Sequence, residues 1–141
     1  MAQLAVARAT PSTLGLDAYE RFRSGLYRHL ALEERIVLPA VRRAVPADVV
    51  QLFLPLEIEH DAIRALLSPT PDAGLADELA TLLVAHERAE SGPNGVYAVA
   101  DVALAKRVET IVGAMRGYPL RVPPPHADGP TSVRTAAAAL D

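Results

Sequence analysis

The sequence predicts an all-α protein folded as an up-down-up-down four-helix bundle. Apolar residues recur at steps of three and four along four segments, the spacing of one face of a helix. Strand signals are nearly absent: only 4% of the residues are aromatic, and Ala, Leu and Val dominate, which favours helices over a sandwich. Proline and glycine divide the chain into segments with short connections, and short connections make successive helices antiparallel neighbours. At 141 residues the chain suits one domain with a real core.

Residues 1–12 read as a loose lead-in ending near Pro11, and the bundle is expected over 13–118. The first helix begins between Thr13 and Asp17, where Asp17 and Glu20 have capping-box spacing, and runs to about Ala44. Its seam is Phe22, Leu26, His29, Glu33, Val37 and Ala40, and Pro39 should kink the last turns by removing one backbone donor. The second helix starts around Pro46, which suits a first turn, and ends before Ser68-Pro69. Its seam is Val49, Leu52, Leu56, His60, Ile63 and Leu67, with a local bend expected at Pro55. The third runs from about Asp72 to Ser91 on the seam Leu75, Leu79, Leu82, His86, Glu90, and Gly92-Pro93-Asn94-Gly95 breaks it. The fourth covers about Val96 to Arg116 and stops at Gly117 and Pro119. Residues 119–141 form a Pro-rich tail, expected to be extended or disordered, with a final helical turn in TAAAAL.

Several function classes drop out. With no cysteine there is no disulfide, thiolate zinc site, iron–sulfur cluster or cysteine nucleophile. A net charge of -3 with scattered Lys and Arg gives no electrostatic reason to expect nucleic acid. No apolar run approaches the roughly 20 residues that cross a membrane. The opening MAQLAVARATP is too short for a secretory signal, so a cytoplasmic location is the expectation.

The residues that carry chemistry sit where a bundle should be greasy. His29 and Glu33, His60, and His86 and Glu90 all fall on helix seams. Charged groups are almost never fully buried unless paired or bound to metal. A lone seam histidine is usually a satisfied core residue, but five such residues on three consecutive seams, with His-x-x-x-Glu repeated, point to a shared site. Residues four apart lie one turn apart on the same face, so each pair can grip one ion or two adjacent ions. Imidazole and carboxylate suit iron, manganese or zinc. The alternative for the set is a buried ion-pair network, which tends to cost stability.

HLALEERIVLP resembles the H-x-x-x-E-E-x-x-L-F-P signature of hemerythrin-like (HHE cation-binding) domains. EIEHDAIRALL is similar to the Glu-His segment of that family's next helix, and LLVAHERAE to its second His-x-x-x-Glu. The three motifs keep the family's order and cover about residues 14–91. The resemblance implies a bundle holding non-haem iron, two ions, with His29, Glu33, His60, His86 and Glu90 as ligands. One ion, or zinc or manganese, would also suit such a set. Family members bind oxygen, sense oxygen or iron, store iron, or serve in nitrosative-stress defence.

The family normally opens with a further helix that contributes a histidine, and there is no room for it before Leu14. The fourth helix could fill that slot, or a partner subunit in a homodimer could supply it. The fourth seam reads Tyr97, Asp101, Leu104, Val108, Ile111, Met115, so Asp101 is expected to face inward and replace the missing histidine. Tyr97 would be a hydrogen-bond donor to the ligands or a weak ligand. An acid in a first turn that only complements the helix dipole is the plainer account of Asp101. Glu34 lies one position off the seam, in a solvated or supporting role. Glu57, Glu59 or Asp61 could orient His60 through its free ring nitrogen. His126, in the tail, is expected to be exposed and idle.

The chain therefore reads as a binding or sensing protein for dioxygen, a related small molecule or iron, rather than as an enzyme. Two alternatives remain: a metal-free bundle serving as an interaction or regulatory module, and a metal-dependent transferase bundle of the DinB type.

Overall fold

Helices make up all the regular structure of the computed structural model, which describes residues 15–141 and contains no strand among them. The lead-in of residues 1–12 lies outside the described residues, and the first helix starts at Leu16, inside the expected window, with Gly15 and not Asp17 at its cap position.

The first helical run is α1 (Leu16–Leu32), a π-helical turn (Glu33–Val37) and α2 (Leu38–Ala44). It matches the length expected from the seam, but the irregularity falls ahead of Pro39 rather than at it. Pro39 has no N–H to offer the carbonyl four residues back and its ring crowds that carbonyl. The chain answers with a wider turn, in which the Leu38 N–H bonds to the Glu33 carbonyl, five residues back.

The expected second helix is two. A short α3 (Ala47–Gln51) ends in a turn, and α4 (Leu54–Leu67) starts afresh with Pro55 in its first turn, where a missing N–H costs nothing. The restart resets the register: Leu52 is 67% exposed and Phe53 is buried in its place. From Leu56 onward the expected seam holds, with Leu56, His60, Ile63 and Leu67 all buried.

The third helix, α5 (Ala73–Ser91), follows the sequence reading closely. The Asp72 carboxylate accepts the Leu75 N–H at 2.8 Å and caps it. Leu75, Leu79, Leu82, His86 and Glu90 are all buried. At its end Gly95 is fixed by space, because a Cβ there would lie 2.2 Å from the Glu90 carbonyl oxygen.

The fourth helix is interrupted. α6 (Val96–Ala103) gives way to a 3₁₀ turn (Ala105–Arg107) and then α7 (Val108–Gly117). The break lets Leu104 enter the core, whereas α7 buries no residue.

The closest packing is α4 against α5, joined by the short Ser68–Asp72 turn. α1 lies against α4, and α6 lies against both α5 and α2. The tail carries little regular structure but is docked rather than loose. The Ala127 N–H bonds to the Ser68 carbonyl at 2.9 Å, and Asp128 accepts from Thr70. A last helix, α8 (Ala136–Leu140), packs on α4 and α5. His126 corrects its expectation: it is half-buried, its Nδ1 bonds to the Pro69 carbonyl at 2.9 Å, and its Nε2 lies 2.5 Å from Glu20.

Two apolar clusters form the core. One gathers Tyr19, Phe22, Leu30, Ile63, Leu66, Leu75, Leu79 and neighbours; the other gathers Leu38, Val41, Phe53, Leu56, Val96 and Leu104. Along the first helical run Glu33 falls between Leu30 and Leu38, and along α4 His60 falls between Leu56 and Ile63. The polar seam residues therefore occupy the level that separates the two clusters.

Candidate metal centre

Glu33, His60, His86 and Glu90 converge from three elements and are 5%, 0%, 3% and 3% exposed. One donor atom from each lies within 4.8 Å of all the others. Metal bonds of about 2.0–2.2 Å put donors on opposite sides of one ion about 4.4 Å apart, so the set needs only slight contraction to hold one.

The orientation of the imidazoles is the more specific sign. The Nδ1 atom of His60 lies 3.0 Å from Glu34 Oε1, and that of His86 lies 2.6 Å from Glu59 Oε2. Once neutral, a ring that gives its Nδ1–H to a carboxylate presents Nε2 as a bare lone pair, the arrangement in which histidine binds metal. Both Nε2 atoms point into the cluster. His60 Nε2 is 3.0 Å from Glu33 Oε2, and His86 Nε2 is 2.7 Å from Glu90 Oε1. Yet His60 Nε2, His86 Nε2 and Glu90 Oε1 are buried without an aligned hydrogen-bond partner. Close approach without alignment is what donors aimed at a common point produce, and the residues present fit a metal ion on that ground.

Each carboxylate also has a second face. Glu33 Oε1 is 3.1 Å from Nε2 of His29, and it accepts a short hydrogen bond from the Tyr97 hydroxyl. That hydroxyl also lies 3.1 Å from Glu90 Oε2. Glu33 and Glu90 thus turn one oxygen toward the paired imidazoles and the other toward His29 and Tyr97. The His29 side chain is 46% exposed and stands at the rim, where an open cleft of about 340 Å³ reaches His86, Glu90 and Tyr97 between the apolar walls of Phe22, Leu26 and Leu83.

Electrostatics follow from this geometry. Burial alone would lower the basicity of His60, but the carboxylates of Glu33, Glu90 and Glu34 push its pKa up to about 9. Burial likewise opposes, and Glu90 and Glu59 outweigh it, in raising His86. The Glu33 contact raises His29. Burial would push the Glu33 carboxyl up, but His29, His60 and Tyr97 hold it well below the usual carboxylate range. Burial and the adjacent Glu33 and Glu90 carboxylates keep the Tyr97 phenol protonated far past its ordinary range.

Of the residues expected from sequence, Glu33, His60, His86 and Glu90 form the buried set, with His29 and Tyr97 touching it. Asp101 is exposed and lies outside it. The inward residues of α6 are Val96, Tyr97, Val99, Ala100 and Ala103, with Leu104 just beyond, so Tyr97 and Leu104 of the expected seam face the core and Asp101 between them does not. Glu34 is brought to His60 and locked by Arg64, whose two terminal nitrogens donate to its oxygens at 2.7 and 2.6 Å. Glu59 serves His86 across the helix pair, whereas Glu57 pairs with Arg42 and Asp61 stays exposed. Sequence reading missed these cross-helix pairings; the adjacent acids were visible, but which histidine each meets depends on helix rotation.

Among the described residues no helix is long and apolar enough to cross a membrane. Comparison with protein-family models, curated proteins and solved structures returns no match.

Proposed function

We propose that this chain is a hemerythrin-like metal-binding bundle holding a non-haem di-iron centre, and that it binds or senses dioxygen, a related small molecule, or iron. The observation that carries the metal reading is the pair of buried imidazoles, each held by an outer carboxylate at Nδ1, whose Nε2 atoms converge with a Glu90 oxygen without aligned partners. With neutral imidazoles the two inner carboxylates leave two negative charges among apolar walls, which cations would balance more cheaply than an unpaired burial.

The division of the carboxylate oxygens supports two ions rather than one. Glu33 Oε2, Glu90 Oε1, His60 and His86 would hold the first, fully buried ion. His29, with the far oxygens of Glu33 and Glu90, would hold the second, with the Tyr97 hydroxyl beside those oxygens. Bound there, such ions supply Lewis acidity and one-electron chemistry toward small molecules. The chain's own contribution is to fix the imidazoles through Glu34 and Glu59, keep a proton on Tyr97 beside the carboxylates, and leave a cleft open past His29.

Elemental analysis of protein expressed in iron-supplemented medium, with His60→Ala alongside, tests this. The expected result is about two irons per chain, lost in the variant. About one ion would confine the site to the buried four-residue set. No metal in either protein would overturn the reading and leave an ion-pair core, with the interaction module as the surviving account.

A further inference from the structure

On the other side of Glu34 from His60 lies a second concavity, a cleft of about 190 Å³ walled by α1, the π-helical turn, α4 and the 118–124 segment of the tail. Four guanidiniums line it: Arg28, Arg35, Arg64 and Arg121. The only acid in its wall is Glu34, and Arg64 already neutralises it through two hydrogen bonds. That leaves Arg28, Arg35 and Arg121 without a counter-charge, in a chain whose net charge is -3. Arg35 and Arg121 enter no ion pair with a described group. Arg28 gives one terminal nitrogen to the Met115 carbonyl at 3.1 Å, and its Nε is buried without a partner.

Like charges gathered in a concavity repel one another, and a protein of opposite net charge has no general reason to collect them. Guanidinium forks match the planar oxygens of carboxylates and phosphates, and are more weakly hydrated than an ammonium, so they give up water readily to such groups. The cleft falls below the roughly 300 Å³ at which pockets begin to take drug-sized ligands, so its occupant is small. Tyr27 and Tyr118 complete its wall.

We infer that this cleft is a binding site for a small oxyanion carrying two or more negative charges, a phosphate or a polycarboxylate, held by Arg28, Arg35 and Arg121. It stands on the cleft alone and is independent of whether a metal occupies the neighbouring cluster. Arg64 and Glu34 put the anion two side chains from His60.

Calorimetric titration of the full chain with inorganic phosphate, pyrophosphate and citrate, at fixed ionic strength, tests the inference and separates the two ligand sources. At least one is expected to bind saturably at one site per chain. Arg35→Ala and Arg121→Ala should each weaken that binding about tenfold or more, the loss of one charge-assisted contact. Both residues are exposed, so the variants should unfold at the same temperature as the parent. Arg43→Ala removes an equal charge outside the cleft and should leave binding unchanged. No saturable binding of any of the three anions would overturn the inference, as would equal weakening by Arg43→Ala, which marks diffuse attraction instead of a site.

Discussion

Glu34 and Glu59 touch no candidate ion, yet each fixes the tautomer and ring direction of a buried histidine. Removing such a partner typically costs ten- to a hundred-fold in metal affinity. Glu59→Gln keeps the shape and removes the charge, so it should weaken metal binding by about that range in a competition titration against a chromophoric chelator. An unchanged affinity would mean that packing alone orients His86. Arg23 is a different case, a buried cation that no seam pattern singled out. Its Nε donates to the Leu67 carbonyl at 2.8 Å and a terminal nitrogen to the Pro124 carbonyl at 2.7 Å. Arg23→Met fills similar space but orphans two carbonyls, and should cost about 3 kcal/mol in urea unfolding. At this scale the sequence was informative where ligands repeat at i,i+4 along one helix, as His29–Glu33 and His86–Glu90 do. It was mute where a role depends on a facing helix, as with Glu59, Arg64 and Arg23. Asp101 departs for a related reason: the rotation of α6 that brings Tyr97 and Ala100 inward leaves Asp101 in solvent, and seam spacing alone does not fix that rotation.

Element existence was legible and element boundaries were not, and proline explains most of the difference. Apolar periodicity identified every long helix, because the period survives local irregularity. Pro55 nevertheless begins a helix instead of bending one, and Pro39 shifts the distortion upstream into the Glu33–Val37 turn. That displacement matters because the wide turn contains both Glu33 and Glu34, and a turn with one extra residue brings consecutive side chains to bear on the same histidine. Such turns recur at functional sites. Cap chemistry was read in the wrong place: the Asp17–Glu20 spacing caps nothing, because Gly15 is the N-cap of α1 with no side-chain bond, whereas Asp72 supplies a cap that the spacing did not single out. Asp72 caps α5 and also lies 2.5 Å from Arg134 of the tail. Asp72→Ala should therefore lower stability by about 1 kcal/mol for the cap, read from chemical denaturation. A negligible loss would show that the start of α5 is held by packing instead.

Over the whole molecule, the buried charges make stability and metal affinity depend on pH. In the metal-free protein His60 holds a proton up to about 9, and that proton must leave before Nε2 can bind an ion. Apparent metal affinity should rise with pH, by up to about tenfold per unit for each proton displaced, and level off above about 9. A pH-independent affinity would mean that the imidazoles are already neutral. Without metal, the raised His60 stabilises the fold below its unfolded value of 6.5, and that contribution is lost as pH climbs through about 9. The depressed Glu33 and Glu90 contribute above 4.5 and lose their contribution on acidification. Metal addition should raise the melting temperature most at alkaline pH, where the apo network is weakest and the ligands are free.

The docked tail has a consequence for how the chain is made. Glu20 meets His126 across 106 residues, and α8 covers α4 and α5. Translation delivers α1, α4 and α5 first, at roughly 5–20 residues per second, so these helices wait several seconds beside the ribosome with part of their apolar surface bare. Val133, Ala136 and Ala139 close that surface only once they emerge. A nascent chain stalled before residue 119 should hold its helices yet present the part of α4 and α5 that α8 covers to any chaperone at the exit tunnel. Release of the remaining residues should end that capture.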